Sequence, residues 1–153
     1  MTTLADVMTD EVFYLTTSDT ATRAAQAMRE LNVGIIPICD DERRLLAVVT
    51  DRDLVLRVLA EDRGGDTQLG EIATQDPIAG QKEWDVSSAI EIMSEEQIRR
   101  LPVVEDGKLV GIVSLGDISV QASQEGAGAA LEEISKPAMP RKGKVDQGDY
   151  NRA

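Results

Sequence analysis

Apolar and polar positions alternate along this chain in a pattern that occurs twice. A short extended run, VFYL, precedes a polar stretch, Thr17-Ser18-Asp19, of the kind that caps a helix. Apolar residues then recur at helical spacing, at Ala21, Ala25 and Met28. Two strand-like runs follow, IIPIC and LLAVVT, separated by a polar turn. A second helix is expected from about Asp51, with Val55, Val58 and Leu59 on its apolar side. The same order returns downstream: DPIA, the polar Glu83-Trp84-Asp85, a helix carrying Val86, Ala89, Ile90 and Met93, the runs LPVVE and LVGIVS, and a helix from about Gly116. Asp106-Gly107 is a hairpin signal between the last two strands. Pro37 and Pro102 lie within strand runs, which predicts strand beginnings or edges there.

The two passages align residue by residue. Ala25 pairs with Ile90, Met28 with Met93 and Pro37 with Pro102 at an offset of 65, while Thr50 pairs with Ser114 and Asp53 with Asp117 at an offset of 64. The missing residue falls where CDDERRL shortens to VEDGKL, a hairpin turn, where changes of length are tolerated. The chain of 153 residues therefore reads as an α+β body of two homologous β-α-β-β-α halves: 1–62, a linker at 63–68 centred on Arg63-Gly64-Gly65-Asp66, and 69–122. In the tail, 123–153, a short helix over Ala127–Ile134 is expected to end at Lys136-Pro137, followed by a polar, mobile remainder.

Composition narrows the chemistry. With 16 basic and 28 acidic residues the formal net charge is −12, which argues against bulk attraction to nucleic acid or anionic membrane. Aromatic residues are only 3%, so the core must be aliphatic. Histidine is absent, which removes histidine-based triads and histidine-liganded metal sites. No phosphate loop of the G-x-x-x-x-G-K type is present, and no constellation suggests turnover. Cys39, the single cysteine, excludes an internal disulfide; it reads as a buried small hydrophobe, with a reactive thiol as the alternative. There is no cationic apolar leader and no run of membrane-spanning length, so a cytoplasmic protein is expected. Lys82 and Trp84 read as surface or packing residues.

The most distinctive stretches are LAVVTDRDL (46–54) and VGIVSLGDI (110–118), in which a hydroxyl residue ends a strand and an aspartate follows three positions later. One reading is a helix cap, Thr50 with Asp53 and Ser114 with Asp117. Capping boxes normally use the longer Glu or Gln, so Asp in both copies weakens that reading. The other reading is an anion or sugar site at a strand-to-helix junction.

These paired motifs, with LADVMTDEV and LGEIATQDPI opening each half, resemble tandem cystathionine-β-synthase (CBS) domains, the Bateman module, over about residues 4–121. The resemblance implies two sheets packed about a pseudo-two-fold axis, with two clefts that take adenosine-containing ligands: AMP, ADP, ATP or S-adenosylmethionine. It implies no obligatory cofactor, no metal and no catalysis. Carried over, Asp53 and Asp117 would accept ribose hydroxyls, and Thr50 and Ser114 would donate to ribose or phosphate oxygen. Adenine would lie near Ile36-Pro37-Ile38 and Leu101-Pro102-Val103, with Val12 and Ile78 nearby. Arg52 and Arg100 are phosphate partners on this reading and solvated surface charges on the other. The pattern's leading glycine is Gly111 in the second half but Ala47 in the first, a methyl expected to narrow that cleft. The resemblance further implies a homodimer formed through helices, for which Ala24, Met28, Val55 and Leu59 offer apolar surface, and an unknown regulated protein. The rival reading is a structural dimerisation module with degenerate, unoccupied clefts.

Overall fold

The computed structural model describes residues 2–121; the helix expected over 127–134 lies outside them. The first half comprises α1 (Leu4–Val7), α2 (Ala21–Leu31), β1 (Ile35–Cys39), β2 (Leu45–Thr50) and α3 (Asp51–Leu54), which runs on into a π-helical turn at Val55–Leu59. The second comprises α4 (Leu69–Ile72), β3 (Thr74–Gln75), β4 (Gly80–Gln81), α5 (Val86–Glu96), β5 (Arg100–Glu105), β6 (Lys108–Ser114) and α6 (Leu115–Gln121).

Each half builds a three-stranded sheet, ordered β1-β2-β3 and β4-β5-β6. The central hairpins are antiparallel, with Ile35 opposite Thr50 and Arg100 opposite Ser114. The lead-in segments are exchanged between halves. β3, in the lead-in of the second half, pairs with β2 of the first through Thr74 opposite Val48. Reciprocally, Thr9 pairs with Ile112 in β6. The cores follow the same exchange. Leu69, Ile72 and Ala73 pack with Ala24, Ile36, Ile38 and Val49, while Leu4 and Val7 pack with Ile90, Met93, Leu101 and Ile118.

The hairpin tips also meet reciprocally. The Leu45 amide donates to Gly107 O at 3.0 Å, and the Leu109 amide donates to Arg43 O at 2.9 Å. Paired bonds of this kind are what a two-fold relation between the halves requires. The turn at Asp106-Gly107 carries positive φ at both residues (52° and 79°), matching the primed turn that Asp-Gly favours. In the longer first hairpin, Asp40 Oδ1 accepts the amides of Glu42 and Arg44, both at 2.9 Å.

Three expectations from the pattern change. Ala25 is exposed, and α2 instead buries Ala21, Ala24, Ala27 and Met28. Its counterpart Ile90 is buried, because at that edge of the apolar stripe an isoleucine reaches the core and an alanine methyl does not. Pro37 and Pro102 stand third in their strands, not at the start; β1 is an edge strand of its sheet, the other place expected for a proline, whereas β5 is central. The amide that Pro37 lacks would face the Phe13–Leu15 segment: there the Leu15 amide donates to Pro37 O and the Cys39 amide to Leu15 O, so no bond to β2 is lost. Of the apolar surface expected for association, Ala24 and Met28 belong to the core, whereas Val55 and Leu59 are 52% and 71% exposed.

Candidate ligand cleft

The exchange of lead-in segments sets which residues share a cleft. Pairing of Thr9 with Ile112 lays residues 11–13 between β1 of the first half and β6 of the second. A cavity of about 210 Å³ opens there. Glu11, Val12 and Phe13 form one wall, and Ile35, Ile36 and Pro37 of β1 another. Leu31 and Val33 close the end near α2, and Arg100 and Ile112 come from the second half. The Arg23 guanidinium stands 5.5 Å from the centre of the Phe13 ring.

Of the residues singled out in the sequence, Val12, Ile36, Pro37 and Arg100 are brought together in this cavity. β6 carries it onward: two residues beyond Ile112 stands Ser114, and α6 follows with Asp117. Neither Ser114 nor Asp117 is among the lining residues of this cavity, and neither is Asp53. Ile38, Leu101 and Val103 are fully buried core side chains on the inward face of their strands. Ile78, the counterpart of Phe13, is partly exposed in the lead-in to the second half. Arg52 is exposed and outside the cavity lining. Sequence reasoning missed Phe13, Leu31, Val33, Ile35, Glu11 and Ile112. Phe13 is the chain's single phenylalanine and adjoins Val12, a signal that was available.

The two aspartates differ. Asp53 closes a capping box: the Thr50 amide donates to Asp53 Oδ2 at 2.9 Å and the Asp53 amide to Thr50 Oγ1 at 3.1 Å. The premise that an aspartate is too short for this is corrected. Thr3 with Asp6, and Thr16 with Asp19, show the same reach, their amides donating to carboxylates at 2.9 and 2.8 Å. The backbone and side-chain bonds from Thr3 hold the Asp6 pKa below its ordinary value. Asp53 is only 7% exposed and accepts the Thr74 hydroxyl at 3.1 Å, with Arg57 Nε at 3.9 Å. At the other corner the Asp117 amide donates to Ser114 Oγ at 3.1 Å, but among the described residues its exposed carboxylate accepts no hydrogen bond.

The Gly111–Ala47 difference also has another cause than the one expected. A methyl added at Gly111 would collide with the Met8 side chain. The counterpart of Met8 is Ala73, so one half pairs methionine with glycine and the other alanine with alanine. The glycine makes room for a neighbouring side chain, not for a ligand. Cys39 is fully buried, and burial pushes its thiol from 9.0 up to about 11, against a lowering by Arg43. That is the inert thiol of the two alternatives.

With this geometry in place, comparison with known proteins identifies the lineage. The family model for the CBS domain matches residues 4–60 and 69–120. The chain belongs to the CBS domain family. This CBS pair is 40% identical over 136 residues to the CBS domain-containing protein YhcV of Bacillus subtilis, covering 88% of this chain and 96% of that one. Hypoxic Response Protein I, in a crystal structure with two coordinated zinc ions, superposes with a TM-score of 0.73 at 36% identity, covering 80% of this chain and 100% of that one. CBSX2 in complex with AMP superposes with a TM-score of 0.71 at 29% identity, covering 82% of this chain and 98% of that one. Among the described residues of this CBS pair, no three His, Cys, Asp or Glu side chains are grouped to hold a metal. No helix among them is long and apolar enough to cross a membrane.

Proposed function

We propose that this CBS pair is a regulatory module that binds an adenosine-containing ligand in the cleft between β1 and β6 and signals to a partner protein without catalysing a reaction. The observation that carries this reading is one cavity shared by both halves. It has apolar walls for a flat base at Val12, Phe13 and Pro37 and a cation at Arg100, and the β6 strand that supplies Ile112 leads on to the exposed carboxylate of Asp117. The base packs against the apolar walls. The ribose diol donates to Asp117, a carboxylate able to accept two hydroxyls at once. Arg100 supplies charge-assisted donors to a phosphate, which favours AMP, ADP or ATP over S-adenosylmethionine. The AMP complex of CBSX2 supports this choice of ligand class.

A ligand that binds only the folded chain stabilises it by RT ln(1 + [L]/Kd), about 2.7 kcal/mol at a hundredfold excess over Kd. Millimolar AMP, ADP or ATP is expected to raise the melting temperature by several degrees. A melting temperature that none of these, nor S-adenosylmethionine, moves would favour the structural dimerisation module instead.

A further inference from the structure

We infer that the two clefts are unequal by construction: Asp53 is a structural latch closed by Thr74 and Arg57, and ligand binding is confined to the cleft that ends at Asp117. The inference rests on the adenosine-binding reading above for the identity of the ligand, and on the hydrogen bonds of Asp53 for the latch.

The latch joins three segments. Asp53 Oδ2 accepts the Thr50 amide at 2.9 Å, and the Thr74 hydroxyl lies 3.1 and 3.2 Å from the two carboxylate oxygens. Arg57 stands beside Oδ1 with Nε at 3.9 Å, and its Nη1 donates to Ile72 O at 3.0 Å. The carboxylate is thus enclosed by its own β2–α3 corner, by the π-helical turn and by the exchanged segment 72–74. A ribose reaching Asp53 would have to displace Thr74, which also holds β3 against β2 through its pairing with Val48. The ribose hydroxyls would only replace a donor that Asp53 already has, and the Thr74 hydroxyl would lose its partner, so the exchange gains little.

The opposite corner lacks these parts. Thr9, the counterpart of Thr74, pairs with Ile112 through its backbone, and among the described residues its hydroxyl makes no hydrogen bond to Asp117. In the sequence, the counterpart of Arg57 at the offset of 64 is Gln121, which removes the cation. Asp117 is exposed where Asp53 is buried. One half uses its repeated aspartate to fix the exchanged strand, and the other leaves it to solvent.

Two measurements test this. The first is a double-mutant cycle in chemical unfolding, with Asp53→Asn and Thr74→Val, and Asp117→Asn and Thr9→Val as the counterpart pair. The latch predicts that Asp53→Asn and Thr74→Val each lower the unfolding midpoint and act non-additively, while the counterpart pair leaves it nearly unchanged. Asp53→Asn as silent as Asp117→Asn overturns the latch. The second is equilibrium dialysis with AMP, which should bind at one equivalent per chain, retained in Thr74→Val and lost in Asp117→Asn. Two equivalents in the unmodified chain, or loss in Thr74→Val with retention in Asp117→Asn, overturn the confinement. A chain that binds no AMP while the unfolding cycle comes out as stated contradicts the adenosine reading and leaves the latch standing.

Discussion

Single side chains in this protein do their work through what surrounds them, and the two repeated aspartates are the clearest case. Their shared spacing was legible in the sequence, as was Arg57 four residues beyond Asp53 on the same helix; Thr74 was not, because it reaches Asp53 only through the exchange of segments between halves. Arg100 shows the converse. Its place before LPV was visible, and the structure sets it in the cavity with Pro37 of the other half. Charge-assisted hydrogen bonds contribute about 1.5–3 kcal/mol, so Arg100→Ala should weaken AMP binding roughly tenfold or more. S-adenosylmethionine has no phosphate, and any binding of it should change little; fluorescence-competition titrations of both ligands would show the difference. Cys39 makes a prediction of a different kind. Burial raises its thiol pKa in the folded state, so the linked stabilisation is fully present below about pH 9 and is lost as pH rises through about 11. A thiol reagent at pH 8 should leave Cys39 untouched in the native chain and modify it fully in denaturant.

The elements were largely readable from period alone. The helices, hairpins and their order follow from apolar spacing and from turn chemistry such as Asp106-Gly107, and the structure keeps that order in both halves. The exchange escaped because it depends on pairings of segments two or three residues long, Thr9 with Ile112 and Thr74 with Val48, too short to leave a periodic signal. The Met8–Gly111 contact escaped for the same reason. It joins Met8, the residue that follows α1 of one half, to β6 of the other, and it explains why a glycine stands where Ala47 stands in the first repeat. Overpacking a filled core destabilises by about 1–3 kcal/mol, so Gly111→Ala should destabilise by that amount. Adding Met8→Ala recreates the Ala73–Ala47 pair of the other half and should recover much of the loss. Urea unfolding of both variants reads this directly, and a double variant no more stable than Gly111→Ala would show that the two residues do not compensate.

At the scale of the whole molecule, the halves are joined by reciprocal contacts on each side of a pseudo-two-fold, so neither core is complete without the other half's lead-in helix. Cutting between the halves should therefore yield two fragments that do not fold separately. The exposed Val55, Leu56 and Leu59 on the π-helical turn offer apolar surface for the homodimer that the CBS resemblance implies, which we propose forms through this turn. Sedimentation at tens of micromolar should give a dimer, and Leu59→Glu should give a monomer that keeps its helical circular-dichroism signal. A monomeric unmodified chain would remove this proposal. The central claim is that the cavity shared by the two halves is an adenosine site ending at Asp117. Calorimetric titration of AMP into the unmodified chain and into Asp117→Asn tests it most directly. Saturable binding, weakened at least tenfold (about 1.4 kcal/mol) by the substitution without loss of melting temperature, is the predicted result. The same affinity in both proteins, or no binding heat in the unmodified chain, would contradict it.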